Sequence, residues 1–207
     1  MKIIQIYGLR RSGTHAIVSW LKHNFSNRPH ENRVCFLNDV VEMRDRFTSS
    51  YEWSKKNCDV LINTYEDSSI NLNLIFENSK KIVLIRDIFN LVASRIKRGT
   101  DDMKVDENFI SLWLEHSFSE NLFKYEDFLL SREKRDDLCK SIEVENLDYT
   151  EGVLPNGLGS SFVGVKLDSK ENYLNRYKMV ELPDKIIRLL SDDRVVEARK
   201  RLGYLVL

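Results

Sequence analysis

The sequence predicts one α/β domain over residues 1–207, a three-layer sandwich with a mostly parallel central sheet between helices on both faces. Two observations carry this. Short apolar strands alternate with helical segments along the chain, and no repeat, low-complexity segment or break in composition marks a linker. Taken in order, the apolar run Ile3-Ile4-Gln5-Ile6-Tyr7 predicts a strand over 2–7, and the glycine-bounded loop after it opens an amphipathic helix over 14–25. A partly helical stretch follows over 39–57, then the strand 59–64, carried by Val60-Leu61-Ile62, and a helix over 68–78. Lys81-Ile-Val-Leu-Ile-Arg86 reads as a strand, and it feeds a helix over 88–98 in which Phe89, Val92, Ala93 and Ile96 recur at helical spacing. A helix over 106–119, a strand over 121–125 and a helix over 127–140 continue the alternation. Beyond residue 141 the pattern loosens into a loop-rich stretch before helices near 170–178, 183–191 and 192–202.

Composition narrows the class. Hydrophobic residues make up 42% and charged residues 31% of the 207, as in ordinary globular proteins. The 32 basic and 32 acidic residues cancel, so no overall field draws in nucleic acid or a membrane surface, and any anion site must be local. Residues 1–7 are too short an apolar run to span a bilayer and lack the cationic start of a signal peptide. The expectation is a cytoplasmic protein without an integral membrane segment. Cys35, Cys58 and Cys139 are scattered without a CxxC or Cys/His cluster, which predicts free thiols and neither zinc nor a disulfide framework. The four histidines form no ligand pattern, so no metal is expected.

The segment Gly8-Leu-Arg-Arg-Ser-Gly-Thr-His15 is the most informative in the chain. Gly8 and Gly13 permit backbone angles and approaches that a side chain would block, and free amides at a helix start face an anion. The spacing matches a Walker loop as far as Gly13, but Thr14 stands in place of lysine and His15 in place of serine or threonine. Positive charge lies inside the loop instead, as Arg10 and Arg11. At the second strand end, Arg86 projects into the crevice where open α/β sheets bind ligands, and its planar fork suits a phosphate. Ser94 lies eight residues on, two helical turns away, so both could reach one anion. The alternative is that Arg86 pairs with Asp87 or another carboxylate and Ser94 is only a small helix residue.

These two motifs together resemble the phosphate-binding motifs of sulfotransferases that use 3′-phosphoadenosine-5′-phosphosulfate (PAPS). The resemblance implies a P-loop NTPase-like fold in the bacterial or glycan-modifying branch. It also implies a sulfuryl donor held by Arg10, Arg11, Ser12, Gly13, Thr14 and His15 at the 5′ end and by Arg86 and Ser94 at the 3′-phosphate. Tyr125 of the Tyr125-Glu126-Asp127 junction would lie near adenine, although Tyr125 packing under the sheet edge with Glu126 and Asp127 capping the next helix is the alternative. Ser160 and Ser161, in a Gly/Ser-rich stretch over 156–166, are similar to lid residues of some bacterial members. The departures concern the adenine and the acceptor's base. Ala16 stands where many members stack a tryptophan on adenine, and Asn63-Thr64-Tyr65-Glu66 replaces a Lys-Thr-His signature.

Sulfuryl transfer to a hydroxyl or amine of a glycan or small-molecule acceptor needs cations on the departing phosphate and a base for the acceptor's proton. Arg11 fits the first role; Glu66, at a strand end, is the first choice for the second, Glu31 the next and His15 the third. The product would be 3′,5′-adenosine bisphosphate (PAP). Two other readings stand beside this one: a kinase-like phosphotransferase, for which Asp87 would hold Mg²⁺, and a non-catalytic nucleotide-binding protein.

Overall fold

A computed structural model of the chain describes residues 1–26, 33–37, 44–70, 78–147 and 175–204. Five strands, β1 (Lys2–Gly8), β2 (Val34–Leu37), β3 (Val60–Glu66), β4 (Lys80–Ile85) and β5 (Leu122–Lys124), form one sheet in the order β2-β3-β1-β4-β5. Every pairing is parallel. The strands of such a sheet are covered on both faces, which is why β1 and β3 read as nearly unbroken apolar runs. Register sets the level of the strand ends: Gly8 lies beside Glu66 on one side and Leu84 on the other, and Arg86 follows two residues later. The loops leaving β1, β3 and β4 therefore meet at one edge of the sheet.

Eight helices are present among the described residues. They are α1 (Thr14–Ser26), α2 (Arg44–Asn57), α3 (Ile88–Arg98), α4 (Glu107–Ser117), α5 (Tyr125–Leu130), α6 (Arg132–Ser141), α7 (Asp184–Leu190) and α8 (Asp193–Arg201). On one face Ile4, Ile6, Ile62 and Leu84 pack against Ile17, Trp20 and Leu21 of α1 and Phe128 and Leu138 of α5 and α6. The edge of Phe128 meets Trp20, with ring centroids 5.5 Å apart. On the other face Ile85 packs with Leu91 and Val92 of α3, Trp113 of α4, and Ile186 and Val195 of α7 and α8. Because side chains alternate along a strand, Tyr7 turns away from Ile6 and stacks on Tyr65, centroids 4.5 Å apart. The result is a sheet between two helical layers.

Local signals explain the best-matched elements. Asp87 accepts the Phe89 N–H and starts α3, and Gly99, at φ 67°, ends it in the left-handed region. Asp106 caps α4 in the same manner through Phe109. Other expectations are corrected. Val34–Leu37 is a strand that the sequence analysis left unassigned; four residues on a sheet edge owe their extension to β3, not to local preference. The helix expected over 127–140 is two helices, since Ser131 is extended (φ −120°, ψ 112°) and its hydroxyl caps α6 by accepting from Lys134 N. Tyr125, placed in a strand, is the first residue of α5. The helix expected over 68–78 has no helical turn in its described part up to Ile70, and 71–77 lie outside the described residues. Of the helix near 170–178, the described portion is a 3₁₀ turn, Arg176–Met179.

The cysteines are also corrected. Cys35 and Cys58 are disulfide-bonded, with Cα atoms 5.9 Å apart, because the β2–β3 pairing places Cys35 beside Leu61, close to the residue that enters β3. Only Cys139 is a free thiol, buried. Such bonds persist in oxidising surroundings more than in a reducing cytoplasm. Among the described residues no helix is long and apolar enough to cross a membrane.

The bond closes a sequence separation of 23 residues, for which unfolded-chain entropy gives about 2–4 kcal/mol. Denaturant unfolding of Cys58→Ser should show a loss of that size. Alkylation of the unfolded, unreduced protein should label Cys139 alone, and labelling of all three cysteines would show that the bond does not form.

Candidate functional site

After β1 the chain makes a tight turn in which Ser12 N–H donates to Leu9 O at 2.9 Å. Leu9 anchors the turn by burying its side chain among the α3 and α4 apolar groups. Arg11 (φ 78°) and Gly13 (φ 101°) are both left-handed. For Gly13 the requirement is double, since a Cβ would also lie 2.3 Å from two carbons of the Tyr125 ring. At Gly8 a Cβ would lie 2.8 Å from Ser12 Oγ. Arg11 bears its strain without that freedom, as residues at functional loops do. Among the described residues, no acceptor meets the N–H groups of Gly13, Thr14 or His15 at the start of α1.

An ion pair between a buried arginine and a half-buried aspartate holds this turn from behind. Asp67 N–H donates to Gly8 O at 3.1 Å, and Asp67 Oδ1 accepts from Arg10 N at 3.0 Å and from the Arg95 guanidinium. Arg95, 3% exposed, also donates to Arg10 O (3.3 Å) and Lys104 O (3.0 Å) and lies 4.3 Å over the Phe109 ring. The sequence analysis gave neither residue a role. Their only sequence signal is an arginine on the apolar side of α3, four residues after Leu91.

In front of the turn, the structure brings together Arg11, Arg86 and Ser94. Arg11 Nε donates to Ser94 Oγ at 3.2 Å, and Arg86 Nη1 donates to Arg11 O at 3.1 Å. Arg86 is 4% exposed, its carbonyl accepts from Trp113 Nε1 at 3.0 Å, and its guanidinium lies 5.2 Å over the Tyr125 ring. Its Nε and Nη2 find no acceptor among the described residues. The alternative pairing of Arg86 with Asp87 is not what forms, because Asp87 Oδ1 caps α3 and Oδ2 meets Arg199 Nη2 at 3.2 Å. Burial, then repulsion from Arg86 and Arg98, pulls the Arg11 pKa below its ordinary value, while Glu66 opposes this. A buried guanidinium with unused donors beside other cations is an arrangement suited to a polyanion.

The remaining candidates fall in different places. Glu66 ends β3 at the level of Gly8, with Oε2 4.0 Å from Arg10 Nε, so it lies at the crevice as a partner of the loop. His15 is exposed on the first turn of α1, and the buried Ser12 and Thr14 hydroxyls face each other at 3.4 Å. Tyr125 packs between Gly13 and Arg86. Glu126 does not cap α5; it accepts from Asp87 N at 3.0 Å and from the Tyr204 hydroxyl at 2.8 Å. Asp127 pairs with Lys124 at 3.5 Å. Glu31, Ser160 and Ser161 lie outside the described residues.

Compared with protein-family models and with curated proteins, the chain matches none. The site's chemistry is therefore read from its geometry.

Gly13→Ala should destabilise the fold by about 1–3 kcal/mol through backbone strain alone, with the Tyr125 collision added. Adding Tyr125→Ala should relieve the collision but not the strain, so thermal melts should show that the two changes are not additive. Equal stability of Gly13→Ala and wild type would contradict the close approach.

Proposed function

We propose that the protein transfers a sulfuryl group from PAPS to a hydroxyl or amine of a glycan or small-molecule acceptor. The observation that carries the reading is Arg86, a buried cation with two donor groups unused, joined through Arg11 to Ser94 and to a helix-opening loop. Arg86 and Ser94 suit the 3′-phosphate, and Arg11 with the helix-opening loop suits the 5′-phosphosulfate. Gly8 and Gly13 let Ser12 and Tyr125 close against the loop backbone, which holds the turn in a shape that leaves the amides at the start of α1 without acceptors among the described residues. This supports a P-loop NTPase-like reading of the fold, in which Arg11 replaces the usual lysine.

In that reaction the acceptor oxygen or nitrogen bonds to sulfur as the bond from sulfur to the phosphate oxygen breaks, and PAP leaves. Arg11 and the loop amides offset the charge that grows on the departing phosphate. Glu66, beside the loop, takes the acceptor's proton. The kinase-like reading assigns Mg²⁺ to Asp87, but both of its oxygens are already engaged by the α3 amide and Arg199.

Calorimetric titration with PAP, with AMP and with ATP plus Mg²⁺ tests the proposal. PAP should bind without metal and more tightly than AMP, and Arg86→Met should weaken it by about 10- to 100-fold, the loss of charged hydrogen bonds. Preference for ATP with Mg²⁺, or indifference to the 3′-phosphate, would sink it.

A further inference from the structure

We propose that Glu126 is the resident counter-ion of Arg86, and that a ligand phosphate takes its place when the site fills; this rests on the anion-site reading above. Two carboxylates, Asp87 and Glu126, meet at the turn between β4 and α3. Asp87 is spoken for, since Arg199 cancels its charge directly. Glu126 takes its hydrogen bonds from neutral donors, from the Asp87 N–H and the Tyr204 hydroxyl, and from its own N–H besides. Arg86 likewise gives its hydrogen bond to a neutral acceptor, the Arg11 carbonyl. Among the described residues each lacks a direct ion pair, and Arg86 is the cation whose attraction acts on Glu126. Burial pushes the Glu126 carboxyl up, and attraction to Arg86 is the foremost influence drawing it back down.

A buried guanidinium without any anion costs several kcal/mol, so the ligand-free site needs an internal negative charge. A carboxylate held off direct contact by its own hydrogen bonds supplies it while leaving Arg86 Nε and Nη2 open. An arriving phosphate brings more charge and the missing acceptors. It is also repelled by Glu126, which keeps a bound product exchangeable.

The two consequences have opposite signs, which a merely structural carboxylate does not produce. Glu126→Gln keeps the size and an acceptor for Asp87 N–H but removes the charge. It should melt at a lower temperature than wild type yet bind PAP about tenfold more tightly, the scale of one opposite-charge neighbour at this range. Tyr204→Phe, which removes a hydrogen bond but no charge, should melt lower with PAP affinity within about twofold of wild type. In ligand-free melts, Arg86→Met combined with Glu126→Gln should lose less than the sum of the single losses. Additive melts would overturn the counter-ion role whatever the ligand. PAP binding by Glu126→Gln that is no tighter than wild type would overturn the replacement. Coupled melts with no PAP binding by wild type would reject the donor reading and retain the ion partnership.

Discussion

Asp67 and Arg95 hold the phosphate-loop candidate in the only shape that makes a site of it. Their pair reaches the turn through main-chain groups at Gly8 and Arg10, so the loop's course is fixed by contacts that leave its outer amides unused. Removing the Asp67 carboxylate would leave the buried Arg95 guanidinium without its counter-charge. Arg11 is the residue that carries the resulting strain, at φ 78°. Everything in front of the turn, including the Arg11 to Ser94 bond and the Arg86 to Arg11 carbonyl bond, depends on that course.

The buried arginines divide by what they touch. Arg95 is saturated by a carboxylate and two carbonyls, and Arg135 donates to the Phe128 carbonyl at 2.7 Å to join α5 to α6. These are structural uses. Arg86 is as deeply buried but only partly used, and Arg11, which both Arg86 and Arg98 repel, adds charge of the same sign. A chain with equal numbers of acids and bases thus still brings Arg11, Arg86 and Arg98 together near the carboxyl ends of its central strands.

Much of this was legible in the residues. Gly8 and Gly13 announced a close-approach loop, Asp87 and Gly99 bracketed α3, and the alternation of strands and helices gave the layers. The placement of Arg86 and Ser94, which Arg11 links, was legible because both depend on a strand end and the helix that follows it, which are local. The unread parts are those set by distant partners. Cys35 meets Cys58 only through the β2–β3 pairing, Asp67 meets Arg95 across 28 residues, and Glu126 reaches Asp87 across 39. No spacing rule encodes such contacts, since they follow from strand order. Glu126 was misread for that reason: beside a helix start, local chemistry suggests a cap, but α5 lies against a turn that needed the acceptor more.

The C-terminal helices give the site a place in time. Asp87 is bound by Arg199 across 112 residues and Glu126 by Tyr204 across 78, so the turn that presents Arg86 is finished by residues synthesised long after it. Contacts of such separation form late, after shorter loops have closed. On the ribosome, the β1 loop and β4 emerge well before α7, α8 and Tyr204, whose contacts complete that turn. The turn between β4 and α3 is therefore completed by the last contacts of the fold to close, although its own residues are adjacent in the chain.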